Sequence, residues 1–211
     1  MTVISAKRKT PAAQARGAGR PRRFTHEQIV DAALEVMERE GFAALTLASL
    51  AARMKVSHSV LYKYVGNIEE VEAEALQRLA ATIPMPRAGT AKDIRAQAIA
   101  CLLALREVLL KHPGVLYPPT GSSAWATFRE CVVQWVLVLK PYAASVDAAV
   151  AGHTALVAMV ALNAEIARHH GVEGLSRMQQ LKETRVPAPK SLQQSLEHLI
   201  DSLFPGFAKA K

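Results

Sequence analysis

The chain has 211 residues, with 26 Lys and Arg against 18 Asp and Glu, and a formal net charge of +8. Half of its residues are hydrophobic and 21% are charged, which excludes a disordered chain and fits one large or two small globular domains. Two cysteines, Cys101 and Cys131, are too few for a secreted disulfide scaffold and lack CxxC spacing, which favours two reduced thiols in a cytosol over a bridge or a metal site.

The charge is concentrated at one end. Residues 1–23 contain Lys7, Arg8, Lys9, Arg16, Arg20, Arg22 and Arg23 and no acid, so this arm holds +7 of the +8. Without hydrophobic periodicity it reads as a flexible segment in the free protein, and its charge points to a polyanionic partner, nucleic acid or an anionic surface. No apolar region follows the basic residues, and no segment approaches the ~20 apolar residues of a membrane span, so a soluble, cytoplasmic chain is expected.

From Phe24 the pattern becomes helical. Thr25 and Gln28 have the spacing of a capping box, Phe24 and Ile29 that of a hydrophobic staple, and Ile29, Ala33, Val36 and Met37 recur at helical intervals until Gly41. Thr46 predicts the cap of a second helix to about Met54, stapled by Leu45 and Leu50. After a turn at Lys55 and Val56, Ser57 predicts the cap of a third, residues 58–64, stapled by Val56 and Leu61. Asn67 then caps a fourth, with Glu69 and Glu70 in the first turn, where the helix dipole favours acids.

The rest is longer-period and more apolar. Helices are expected over 90–111, stopped by His112-Pro113-Gly114, over 122–140, stopped by Pro141, and over 145–170, ended by Gly171. A polar stretch with Pro187 and Pro189 leads to a last helix over 191–204, opened by Ser191 and Gln194 and closed by Pro205-Gly206. No alternating strand pattern occurs, and the expected fold is all-α.

Two short helices joined by a tight turn and braced by a preceding helix make a helix-turn-helix unit, whose second helix can enter the DNA major groove. The run from Gly19-Arg20-Pro21 through Ala51-Ala52-Arg53-Met54-Lys55-Val56-Ser57 to Leu61-Tyr62-Lys63-Tyr64-Val65 and Asn67 resembles the DNA-binding domain of TetR-family transcriptional repressors. The resemblance covers residues 19 to about 78. It implies three regions: a basic arm (1–23), a helix-turn-helix domain (24–68), and a helical effector-binding and dimerisation domain (69–211). The family often has Lys after this Asn; here that place is Ile68, so the side-chain phosphate contact is not carried over, while the backbone amides at the Asn67 cap keep the phosphate site.

The expected DNA contacts follow from residue type and place. Ser57, His58 and Ser59 open the recognition helix and can reach base edges or phosphates, with Lys63 further along. Tyr62 and Tyr64 resemble the family's phosphate-contacting aromatics, although Tyr62 at helical spacing also fits a core aromatic, and His58 also fits a solvated surface residue. Thr46 offers a hydroxyl at a helix N-terminus, and Arg53 and Lys55 flank the turn. Arg20, Arg22 and Arg23 are placed to seek a narrow minor groove; residues 1–15 fit either a DNA-contacting arm or a solvated tail.

In the second domain, Gly152, Ala155, Met159, Leu162 and Ile166 form one apolar stripe and Leu192, Leu196, Leu199, Ile200 and Leu203 another. Helices 145–170 and 191–204 are the candidates for a homodimer interface, the other reading being that both stripes are core of one subunit. Leu102, Leu105, Trp125, Phe128, Cys131, Trp135 and Met159 are candidates for an apolar ligand pocket, with His153 or Asn163 as polar anchor; each also fits plain core packing. No HxxxH or HxxH pair with carboxylate support argues for a metal, no cofactor motif is present, and GxSxG, HExxH and GxxxxGK[ST] are missing, so no enzyme is expected.

The resulting expectation is a dimeric, ligand-responsive regulator. It would bind double-stranded DNA at a palindromic operator and be released by a small apolar effector, with no membrane partner. The alternatives are a non-specific architectural DNA binder and a helical adaptor that uses its basic tail on anionic surfaces.

Overall fold

The computed structural model describes residues 24–116, 124–179 and 191–209. The arm residues Arg20, Arg22 and Arg23, the start of the expected helix at residue 122, and the stretch with Pro187 and Pro189 lie outside them. Every regular element among the described residues is helical.

The first four helices are α1 (His26–Glu40), α2 (Leu47–Met54), α3 (His58–Leu61) and α4 (Ile68–Ala81). Local chemistry sets their starts. Thr25 and Gln28 close the expected capping box on α1. Thr46 caps α2 through a box completed by Ser49, and the Asn67 side chain accepts the Glu70 N–H at 2.8 Å to open α4. The turn after α2 is sharper than its sequence suggests. Lys55 takes a left-handed conformation (φ 55°), its N–H bonding to the Ala52 carbonyl and that of Val56 to the Ala51 carbonyl, the Schellman closure that usually recruits glycine. Ile29, Val30, Ala33, Met37, Leu50, Ala51 and Leu61 fill the core between these helices.

The larger half contains α5 (Ala91–Lys111), α6 (Ala124–Leu139), α7 (Val146–Gln179), α8 (Leu192–Leu203) and the short α9 (Gly206–Lys209). Thr90 and Asp93 cap α5, and Ser191 caps α8 by accepting the Gln194 N–H. α5 packs along α7, and α8 packs on both. Arg95 of α5 clamps Asp201 of α8 with two hydrogen bonds, of 2.7 and 2.9 Å. α4 belongs to both halves, packing on α1 at one side and α6 at the other.

Three sequence expectations change. α3 stops at Leu61 instead of reaching residue 64, because the Lys63 and Tyr64 N–H groups bond three residues back, to the Val60 and Leu61 carbonyls. This tighter turn brings Val65 into the core and sets the Tyr64 ring edge-on against Phe24. α7 does not end at Gly171 but continues through it and Gly174 to Gln179; each helical glycine costs only ~1 kcal/mol relative to alanine. Finally, Val146–His169 of α7 is long and apolar enough, by length and composition, to cross a membrane, contrary to the reading that no segment approaches a span. Its apolar character is divided: Ala149, Leu156, Val160 and Ala164 are buried in the chain's own core, whereas Val146, Val150 and Leu162 are exposed.

Candidate nucleic-acid interface and ligand cavity

The exposed edge of the α2–α3 unit carries most of the expected DNA contacts. Thr46, Lys55, Ser57, His58, Ser59, Tyr62, Lys63 and Asn67 are all exposed. Tyr62 is 57% exposed, which removes the core-aromatic reading and leaves its hydroxyl on the surface. The Ser57 and Ser59 hydroxyls are 3.0 Å apart at the start of α3. Tyr64 is half-buried by its contact with Phe24. Arg53 is tied back to Glu35 of α1 by an ion pair, so its charge is partly used within the fold. Lys55 and Lys63 are the cations this edge presents without an ion pair among the described residues, on a segment of formal charge −1 over residues 24–68.

The second candidate site is a cavity of about 790 Å³, counting its open mouth, between α4, α5, α6 and α7. Of the expected lining residues, Leu102, Leu105, Phe128, Cys131, Trp135 and His153 meet there. The side chain of Trp125 lies outside the described residues. Met159 and Asn163 are not among the lining residues. On an α-helix Met159 lies about 200° round from the lining residue Val157. Asn163 faces α5, where its Oδ1 accepts the Arg106 Nε–H at 2.7 Å.

Sequence reasoning missed the wall contributed by α4 (Leu76, Leu79, Ala80) and by the segment around the end of α5 (Val108, Val115, Leu116). The i, i+3, i+4 spacing on α4 was the available signal, but it reads equally as packing inside the helix-turn-helix domain. Cys101 also lines the cavity; burial pushes its thiol pKa up to about 12, and burial raises that of Cys131 as well, so both are protonated and weakly nucleophilic at neutral pH.

Two links tie the cavity to the helix-turn-helix. Arg78 of α4, close in sequence to the lining residues Leu76, Leu79 and Ala80, pairs with Asp31 of α1 at 2.8 Å. At the end of α5, the Phe42 N–H donates to the Pro113 carbonyl at 2.9 Å and Lys111 pairs with Glu38 at 3.4 Å. Gly41 (φ 89°) and Gly114 (φ 80°) supply the backbone conformations that let these two loops approach. His112, between Lys111 and Pro113, is buried with Nδ1 unpartnered, and burial lowers its pKa.

The dimer stripes are also redistributed. Gly152 is consumed inside the subunit, its missing side chain occupied by the Phe204 ring; a Cβ there would lie 2.6 Å from that ring. Leu196 and Ile200 of α8 are likewise fully buried. Ala155 and Leu162 of α7 are exposed, Leu162 at 62%. Met159, Ile166, Leu192, Leu199 and Leu203 are half-buried.

Residues 29–75 match the model of bacterial regulatory proteins of the tetR family. An HTH-type transcriptional regulator of Saccharopolyspora erythraea is 32% identical over 90 residues, covering 43% of this chain and 38% of that protein. The uncharacterized HTH-type transcriptional regulator YdeS of Bacillus subtilis is 35% identical over 94 residues, 42% of this chain and 48% of that protein. The match therefore spans less than half the length of these curated relatives. Two solved structures extend the likeness along nearly the whole chain. ActR of Streptomyces coelicolor, in complex with (S)-DNPA, matches 89% of this chain and 99% of its own, with a TM-score of 0.58 at 21% identity. BioQ, solved with its double-stranded DNA operator, matches 85% and 98%, with a TM-score of 0.56 at 20% identity. At these identities the likeness is one of fold.

Proposed function

The chain belongs to the TetR family of bacterial regulatory proteins, and from that premise we propose that it is a homodimeric, sequence-specific DNA-binding repressor released from a palindromic operator by a small apolar effector. The observation that carries the DNA half is the exposed edge of α2 and α3. Eight polar side chains from Thr46 to Lys63, Arg53 among them, are exposed there, on a unit whose leucines Leu50 and Leu61 are turned into its own core. Ser57, His58, Ser59 and Lys63 are the base and phosphate readers, and Tyr62, Tyr64, Thr46, Lys55 and the Asn67 cap hold the backbone. Arg53, shared with Glu35, contributes less than its charge suggests. Arg20, Arg22 and Arg23 supply the minor-groove contact.

One recognition helix reads only a few base pairs, so specificity requires two copies on half-sites about one helical turn or more apart. The apolar stripe of α7 that carries exposed Ala155 and Leu162 with half-buried Met159 and Ile166, together with the half-buried residues of α8, supports a pairing of two copies through these helices. A DNA-reading regulator of this kind works in the cytoplasm.

Release follows from differential binding: an effector shifts the dimer only as far as it prefers the conformation with the wrong recognition-helix separation. The cavity supports this coupling, because α4 and the end of α5 each form part of its wall and each contact α1 or the loop after it. Selection of bound duplexes from a random pool tests the DNA half. The expected result is enrichment of a two-fold-symmetric site; equal retention of all sequences would identify an architectural binder instead.

A further inference from the structure

His153 stands apart from the other residues of the cavity. It is 7% exposed and set among aliphatic, aromatic and thiol side chains, and no Lys, Arg, Asp or Glu is among the lining residues. Trp135 and Cys101 line the same cavity. His153 touches the Trp135 ring, with centroids 5.5 Å apart, and has no hydrogen-bond partner among the described residues. His153 is the one lining residue whose side chain carries ring nitrogens able both to donate and to accept a hydrogen bond. Burial lowers its pKa, so it is neutral at pH 7 and offers one donor and one acceptor.

Resting on the reading of this cavity as the effector site, we infer that its ligand is an uncharged, apolar molecule carrying one hydroxyl or carbonyl group, held at that group by His153. The hydrocarbon part is matched by the leucine, valine and aromatic walls. The single polar group gives the His153 ring the hydrogen-bond partner that the apolar walls do not supply. A carboxylate finds no cation among the lining residues to offset its desolvation, and an ammonium group finds no carboxylate.

Calorimetric titration of the full chain at pH 7.5 with three probes of one shape, tert-butylbenzene, 4-tert-butylphenol and 4-tert-butylbenzoate, tests this. The phenol is expected to bind roughly tenfold more tightly than the hydrocarbon, as one hydrogen bond in a dry site allows, and the benzoate more weakly than both. His153→Leu should remove the preference for the phenol while leaving hydrocarbon binding in place, and His153→Gln should restore part of it. Benzoate binding as tight as the phenol, an unchanged preference in His153→Leu, or no binding of any probe would overturn the inference. Duplex affinity measured in the same solutions separates the two readings. If the phenol preference depends on His153 but no probe weakens duplex binding, the ligand inference stands and release by an effector fails.

Discussion

Residues 24–68 pack their buried apolar side chains into a closed core and turn their polar ones outward, whereas the bundle of α4 to α7 leaves a cavity between its apolar side chains. Leu50 and Leu102 show the difference, since both have 0% exposure. Both belong to one continuous hydrophobic core, but Leu102 forms part of the cavity wall and Leu50 is not among the lining residues. The first region specifies a shape that positions its surface, and the second specifies a space. An identical burial value therefore carries different functional meaning on the two sides of α4.

The largest expected effect tests this directly. Leu50→Ala should cost ~2–5 kcal/mol, the range for a buried leucine, and abolish duplex binding at moderate temperature. Leu102→Ala should fall at the low end of the same range, because it enlarges a space that already exists, and should change probe affinity more than duplex affinity. Denaturant midpoints with the two binding titrations check both; equal falls in duplex affinity would erase the distinction.

Next comes the arm. Deleting residues 1–19 removes Lys7, Arg8, Lys9 and Arg16 and should lower the salt slope of duplex binding by up to ~0.9 for each phosphate that these side chains neutralise. An unchanged slope would move the electrostatic affinity back onto Lys55, Lys63 and Arg20 to Arg23.

Lys55→Gly separates stability from function within one residue. Relieving the left-handed lysine should stabilise the fold by up to ~1 kcal/mol, while removal of its charge weakens duplex binding and lowers the salt slope by about 0.9, the value for a single phosphate. A smaller, general effect concerns pH. His112 and His153 both have pKa values lowered in the fold from 6.5, so the unfolded chain binds more protons just below that pH. Stability is therefore full above about pH 6.5 and falls as the pH drops towards the lowered values. Glu38 and Lys111 act on His112 in opposite directions, while His153 has burial alone; the melting temperature of His153→Leu should accordingly fall less steeply with acidification than that of the parent chain.

Much of the first region was legible in the sequence because its determinants are local. Thr25 with Gln28, the Thr46 cap and Asn67 each act within three or four residues and cap their helices as expected, whereas Ser57 stands at the start of α3 without a side-chain cap bond, its hydroxyl lying against that of Ser59 instead. The early end of α3 rests on the three-residue hydrogen bonds of Lys63 and Tyr64, which apolar spacing does not reveal, and the ion pair of Arg53 depends on Glu35, which is distant in sequence. The cavity was only half legible for the same reason. Trp135, Phe128 and Leu102 have apolar spacing that reads as wall or core alike, and the phase that excludes Met159 while admitting His153 is set by how α7 lies on α5. The wall residues of α4 and of 108–116 were invisible as such, since their role exists only once two parts of the chain meet.

In the proposed regulator the short α3 and its following turn read the duplex while the rest of the chain positions them. The most direct test of this division is the ratio of affinities for the selected duplex and a random duplex. It should be measured for the parent chain and for a variant with Ser57, His58, Ser59 and Lys63 all replaced by alanine, at matched salt and with folding verified by circular dichroism. The ratio should collapse towards one while salt-sensitive residual binding, carried by the arm, persists. A ratio unchanged from the parent would contradict this division.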